Sequence, residues 1–391
     1  MFYRKYLFAV LLIPVIQLNS LNAASAGEKK TDSETEIGGV LMLDYAAYDG
    51  VYRNDTNDES EFNTEIRRAR IDLKHRLNKQ WKGKLQISFD EDDNSSEIGD
   101  AYLQYSVLDS LFKGADITFG QTKEAFGLEN LTSSKNTTFL ERSMATNAFA
   151  PGRNKGVSAF GSPKDFTWEL GVYDVETDDE DFDPYAVTGR FTWAPVITNS
   201  DSDKQLFHLG LAGSWRKLDG DEFEINERAE VHSAEKIISS GEIDTDKVSL
   251  FGIEVAWVKG PLSVQSEYMR ADLKAIDESE DATFDGYYIQ SSYFLTGESR
   301  SYKNGVFGKL KPNAKTGAWE VSARYSVLDT READDGTLGE TATLGLNYYY
   351  DENIRVMANL LHSEVSGDNV GEDLDDEDQG NALSLRFQYE F

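Results

Sequence analysis

The chain of 391 residues contains no cysteine. That excludes a disulfide framework and any thiolate metal site. Proline is scarce, at 7 residues, and histidine scarcer still, at 4. None of His75, His208, His232 and His362 stands beside a recognisable nucleophile motif. Ser/His/Asp chemistry needs a positioned base, so the sequence offers no catalytic residue. Neither a Gly-rich phosphate loop nor an HExxH zinc pattern occurs. The acidic run EDLDDEDQ lacks the spacing of a defined calcium loop, so neither a metal nor another cofactor is expected. Positive charge is in deficit: 39 Lys and Arg face 70 Asp and Glu, for a net charge of -31. Past residue 26 no apolar run approaches the roughly 20 residues that a membrane-spanning helix needs.

What is present begins with MFYRKYLFAVLLIPVIQLNSLNAASA. A basic start, a short apolar stretch and the small-residue site Ala24-Ser25-Ala26 form the pattern of a secretory signal peptide over 1–26. Export argues against a nucleic-acid partner. Residues 27–36 then read as a short periplasmic segment, and 37–391 as one domain. Within that domain, alternation dominates. At the end, NALSLRFQYEF sets Leu383, Leu385, Phe387, Tyr389 and Phe391 on one face, with small or polar residues between them. Successive strand side chains point to opposite faces, so one face is apolar and the other wet. A C-terminal amphipathic strand ending on an aromatic resembles those of outer-membrane barrels.

Sixteen such segments fit between 37 and 391, an even number, as bacterial barrels require. The connections sort by parity. Even-numbered ones are short (LNKQ, SPKD, KG, DE), except TGESRSYKNGVFGKLKPNAK between strands 12 and 13. Odd-numbered ones are long and mostly acidic, such as ETDDEDFD and SGDNVGEDLDDEDQ. Short periplasmic turns with long outer loops are the asymmetry of a transmembrane barrel. Outside the odd connections, Lys and Arg slightly outnumber Asp and Glu, so the acidity belongs to the outer loops. Such runs are solvated faces that bridge to lipopolysaccharide through divalent ions. Within the connection 218–246, INERAEVHSAEKII reads as a short amphipathic helix. The expected fold is therefore an all-β, transmembrane antiparallel β-barrel of 16 strands. The third outer connection, 122–152, is long and only mildly charged, with small apolar clusters. Its expected place is inside the lumen, as a constriction.

Against this acidic background, RRARIDLKHR at 67–76 gathers cations. Alternation puts Arg68, Arg70, Asp72, Lys74 and Arg76 on the lumen face, and Ala69, Ile71, Leu73 and Leu77 towards lipid. Arg or Lys in the lipid midplane costs about 2–4 kcal/mol, which decides the inward assignment. Arg67 falls on the outward face by the same parity, where a subunit contact is its reading. Across 122–156, Lys123, Lys135, Arg142, Arg153 and Lys155 outnumber the acids Glu124, Glu129 and Glu141. A narrow passage with excess positive charge concentrates anions. Asp72, Asp100, Glu267 and Glu320 are the lumen carboxylates placed to neutralise part of the column. A general or cation-preferring porin governed by the acidic loops is the alternative, and a barrel enzyme a more remote one.

The segments RRARIDL, FGQTKEAFGLENLTSSKNTTFLER, AFAPGRNKGV, GYYIQSSYFLTGESRSYK and GAWEVSARYS together resemble the phosphate-selective porin O and P family, collinearly from about residue 37 to Phe391. The resemblance implies a homotrimer of sixteen-stranded barrels in the outer membrane, each with an inward-folded third loop. It implies passive uptake of small anions such as phosphate, pyrophosphate or polyphosphate. It matches Arg67 and Arg68 to the family's paired arginines and Arg142 to the arginine of its LER motif. Arg70 and Lys123 stand at or near positions that can be Tyr in phosphate-selective members. Asn130 stands where those channels carry a constriction Lys. The anion-path residues expected are thus Arg67, Arg68, Arg70, Lys74, Lys123 and Arg142.

Overall fold

The structure is a computed structural model that describes residues 33–53, 60–89, 96–107, 114–175, 184–198, 205–277, 280–332, 336–367 and 377–391. The leader 1–26, most of the segment 27–36 and several of the acidic runs lie outside the described residues. The first strand starts within that segment, at Glu34.

Sixteen strands make one antiparallel barrel. They are β1 Glu34–Tyr48, β2 Glu61–Arg76, β3 Trp81–Phe89, β4 Ser96–Ser106, β5 Ala115–Lys123, β6 Arg153–Gly161, β7 Phe166–Asp174, β8 Tyr185–Trp193, β9 Gln205–Glu227, β10 Ile238–Lys259, β11 Leu262–Ala275, β12 Thr283–Phe294, β13 Ala318–Asp329, β14 Thr337–Tyr349, β15 Ile354–Gly367 and β16 Glu377–Glu390. Each pairs with its sequence neighbours, and β1 pairs with both β2 and β16, so no edge is left open. Several tight turns join strands at the end where β1 starts: Lys259 faces Leu262 across Gly260-Pro261, where Gly260 takes φ 53°, whereas the β12–β13 connection at this end is long.

Period-2 patterning explains which face is which. In β16, Leu383, Leu385, Phe387 and Tyr389 are exposed, whereas Ala382, Ser384, Arg386 and Gln388 are buried. The same holds for Trp81, Leu85 and Phe89 against Gln86 in β3. A soluble protein would not leave so continuous an apolar surface uncovered. In a bilayer, lipid covers it. Outward aromatics near the tight turns pack in pairs, with ring centroids 5.0 Å apart for Trp81 and Tyr105, and 4.5 Å for Trp319 and Tyr348. They form the interfacial girdle of such barrels.

Two expectations fail locally. Strict alternation sent Arg67 outward. However, the β1–β2 register shifts between Met42 and Asp44, so Ile66 and Arg67 together oppose Leu43. This bulge breaks the parity. Ile66 stays exposed, while Arg67 turns inward beside Arg68 and reaches Glu141. The second failure is the expected helix in INERAEVHSAEKII. Strands β9 and β10 continue instead as a long hairpin of 23 and 22 residues, still paired at Glu227 and Ile238. The alternating apolar residues of this stretch serve strand and turn packing: Ile225, Ala229, Val231, Ala234, Ile237 and Ile238 are all buried.

Three connections pack against inward-facing wall residues. Residues 124–152, between β5 and β6, carry two short helices, α1 Leu128–Leu131 and α2 Met144–Phe149. The tip of the β9–β10 hairpin leans over the first of these connections: Ala229, Val231, Ala234 and Ile237 join Met144, Ala145 and Phe149 in one apolar cluster with Val365 and Leu361 of β15. The long connection between β12 and β13 holds a small hairpin, Tyr302–Lys303 with Val306–Phe307. Its Phe307 packs with Leu128, Leu206, Ala256 and Val258. Tyr302 Oη lies 2.6 Å from His208 Nδ1, and Arg190 Nη2 donates to Gly305 O at 2.8 Å. The β8–β15 side of the lumen is therefore occupied by packed chain.

Candidate functional site

The wall from β2 to β6 faces the lumen side of residues 124–152. Strand β2 supplies Arg67, Arg68 and Arg70, strand β5 ends on Lys123, and the connection supplies Arg142. Electrostatically they are one cluster. The charges acting on Arg68 are those of Arg67, Glu141, Arg70 and Arg142, and those acting on Lys123 are Arg142, Arg153, Arg68 and Asp100.

These cations divide by the partners they find. Arg67 is neutralised: its Nε and Nη2 donate to the two carboxylate oxygens of Glu141, both at 2.8 Å. Arg68 has no hydrogen-bond or ion-pair partner among the described residues, and its buried Nε donor is unsatisfied. Arg70 has a buried, unsatisfied Nε and only a long contact, Nη1 to Ser134 Oγ at 3.5 Å. Lys123 Nζ donates to the backbone oxygen of Asn130 at 2.9 Å and to its Oδ1 at 2.8 Å. The Asn130 amide is oriented for this, because its Nδ2 donates to Phe126 O and Pro151 O. Arg142 donates only to carbonyls, those of Glu129, Asn130 and Thr132. Burial, opposed by Glu129 and Glu141, lowers Arg142 from its ordinary value, but a guanidinium stays charged. Thus Arg68, Arg70, Lys123 and Arg142 form no ion pair among the described residues.

The neighbouring charges are compensated. Lys84 meets Asp100 at 2.6 Å and Asp72 at 3.4 Å, and Arg153 meets Asp100 at 2.6 Å. Lys135 lies 4.0 Å from Asp72 and 3.8 Å from Glu390. Lys74, expected in the column, is exposed lower on β2, opposite Glu36 and Lys84, and does not join the cluster. Lys155 is exposed on β6. Glu267 and Glu320 do not neutralise the column. Glu267 accepts from the N–H groups of Leu128 and Glu129 at 2.7 Å, fixing the start of α1, and Glu320 accepts from Asn347 and Tyr349.

Sequence reading missed the residues that hold the connection in place. Arg216 pairs with Glu124 at 3.0 Å, and Arg324 with Glu129 at 3.3 Å and with Glu230. Arg386 pairs with Asp44 at 2.6 Å and with Glu141 at 2.7 Å. Arg355 Nη1 donates to Thr137 O at 2.7 Å. Alternation had put Arg386 on the polar face of its strand, but partners more than 200 residues away in the chain leave no local signal. Burial would push the Glu141 carboxyl up, yet Arg67 and Arg386 hold it well below the usual carboxylate range.

Comparison with known proteins adds the context. The family model described as phosphate-selective porin O and P matches residues 36–391. Porin O of Pseudomonas aeruginosa is 30% identical over 405 aligned positions, which cover 92% of this chain and 90% of that protein. An uncharacterised protein of Caulobacter vibrioides is 25% identical over 71% of this chain and 57% of its own length. Among solved structures, an anion-selective porin of Comamonas acidovorans superposes with TM-score 0.57 at 12% identity, covering 92% of this chain and all of that one (100%). The trimer form of OmpT from Vibrio cholerae gives TM-score 0.56 at 13% identity, over 92% and 99%. At such identity these structures speak for the fold. The protein is an outer-membrane channel and not an enzyme, and the chain belongs to the phosphate-selective porin O and P family.

Proposed function

We propose that the protein mediates passive diffusion of small oxyanions, of the phosphate, pyrophosphate or polyphosphate type, past Arg68, Arg70, Lys123 and Arg142. The observation that carries this is the division of charge. Four buried or half-buried cations meet only neutral acceptors or none, while the cations around them meet carboxylates. An uncompensated charge is attractive to a mobile counter-ion. A unit anion at 4 Å gains about 1 kcal/mol in water-like surroundings and about 4 kcal/mol at an effective dielectric of 20. Guanidinium forks and an ammonium match the oxygen geometry of phosphate. The site binds weakly enough for release because the ion stays partly hydrated and the cations are spread along the path.

Residues 124–152 narrow the lumen and present Arg142 and the Asn130 carbonyl to the path. The protein works as a homotrimer, which the names of similar porins support. Residues 1–26 are removed on export, and the acidic outer runs bridge to lipopolysaccharide through divalent ions. The test is the reversal potential of the purified protein in a planar bilayer under a KCl gradient, followed by phosphate titration of the chloride current. Anion selectivity with block by phosphate is expected. A cation-selective current would overturn the reading and leave the acidic loops in control.

A further inference from the structure

Residues 123 and 124 carry opposite charges and have opposite destinations. Lys123 ends β5 and turns to the anion path, where it is held by the two oxygens of Asn130. Glu124, the next residue, turns to the wall and is fully buried. There Arg216 of β9 donates from Nη1 to Oε1 and Oε2, both at 3.0 Å. Asn154 Nδ2 donates to Oε1 at 2.6 Å, and Thr188 Oγ1 donates to Oε2. The pattern repeats along the connection. Glu129 is taken by Ser143, Thr146 and Arg324, and Glu141 by Arg67 and Arg386. Each carboxylate of the inserted connection is thus paired with a wall arginine, although the charges of Glu129 and Glu141 are still felt at Arg142.

Neutral ligands hold Lys123 and Arg142, and wall arginines hold the acids. We propose that Arg216 is a specificity-determining residue of the channel: it sequesters the Glu124 carboxylate so that Lys123 keeps its charge for the permeating anion. Arg216 touches no permeating ion, and it acts as a positioning residue. Without it, Glu124 is a buried carboxylate with two neutral donors, one residue from an ammonium that has no acid partner. The carboxylate then pairs with Lys123, or its charge acts on the path from the wall. Either way the lumen loses one effective positive charge.

This inference rests on the anion-path reading, and the experiment separates the two. The chloride-to-potassium permeability ratio is measured from reversal potentials for wild type, Arg216→Met, Arg216→Lys, Glu124→Gln and the Arg216→Met/Glu124→Gln double variant. One unit of charge at about 8 Å in water-like surroundings changes the ratio by at least about two-fold. Arg216→Met should lower the ratio by that factor and Arg216→Lys should preserve it. The double variant, neutral at both positions, should return to wild type. Glu124→Gln alone, a near-isosteric change that tolerates the fold, should raise the ratio. An unchanged ratio in Glu124→Gln, or a double variant as impaired as Arg216→Met, overturns the role of Arg216. Wild-type preference for cations overturns the functional reading instead, while the shift between wild type and Arg216→Met still reports on Arg216.

Discussion

Arg68 and Arg67 are adjacent, equally charged and both inward, yet they should behave differently when neutralised. Arg68 has no partner among the described residues, whereas Arg67 is locked in a two-point ion pair with Glu141. Arg68→Gln removes a charge that no hydrogen-bonded or ion-paired group among the described residues satisfies, so on the proposed reading the permeating anion is what loses by it. The loss lies between about 1 and 4 kcal/mol, the values for contact at dielectric constants of 80 and 20. The partial exposure of Arg68 favours the lower half of that range. The expected cost is about 1–2 kcal/mol, or roughly 5- to 30-fold in the phosphate concentration that half-blocks the chloride current. The control removes the Arg67 pair as a unit. Arg67→Gln/Glu141→Gln deletes one charge of each sign and should change half-block by less than about two-fold, at some cost in stability. The assay is single-channel conductance at fixed chloride with stepwise phosphate. Equal effects in the two variants would refute the argument that partner status, and not mere inward position, decides which arginine serves the anion.

Two further expectations follow from the packing. Phe307 supports Leu128 from below, so Phe307→Ala opens a cavity costing about 3–5 kcal/mol and loosens α1. It should show as a lower melting temperature by circular dichroism and as added flicker in single-channel records; an unchanged melting temperature would count against the buttress. Glu141 has a depressed carboxyl value, so its stabilising contribution is present above the unfolded value of about 4.3 and is lost only as pH falls through the lower folded value. Glu141 should therefore add no titration to the conductance between pH 7 and about pH 4.5, and a step near pH 6 that is present in wild type and absent in Glu141→Gln would refute the assigned pairing.

Much of the barrel was legible because lipid and water impose a strict period of two on each strand. NALSLRFQYEF gave its faces correctly, and so did Ile71, Leu73 and Leu77. The same rule failed at Arg67, because one inserted residue opposite Leu43 inverts the parity and leaves no mark in composition. It failed again at 225–238, where apolar residues sit at spacings that a helix and a buried strand tip share. The cation cluster was legible as inward charge at Arg68 and Arg70. Which cations stay unpaired was not, since pairing depends on Glu124, Glu129 and Glu141 meeting arginines brought close only by barrel closure. Lys74 shows the converse, because it shares the face of Arg68 but lies too low on the strand to share its surroundings.

Arg386 has a consequence for how the channel is made. Its guanidinium spans the joint between the last strand and the first, gripping Asp44 of β1, and also binds Leu140 O and Glu141 of the inserted connection. Until β16 is in place, Glu141 lacks one of its two arginines and the connection lacks a tether. Joining the first and last strands and tethering the connection therefore draw on the same side chain. Barrel closure and the seating of the connection are thereby coupled, because the seam between β1 and β16 is also an anchor for residues 140 and 141.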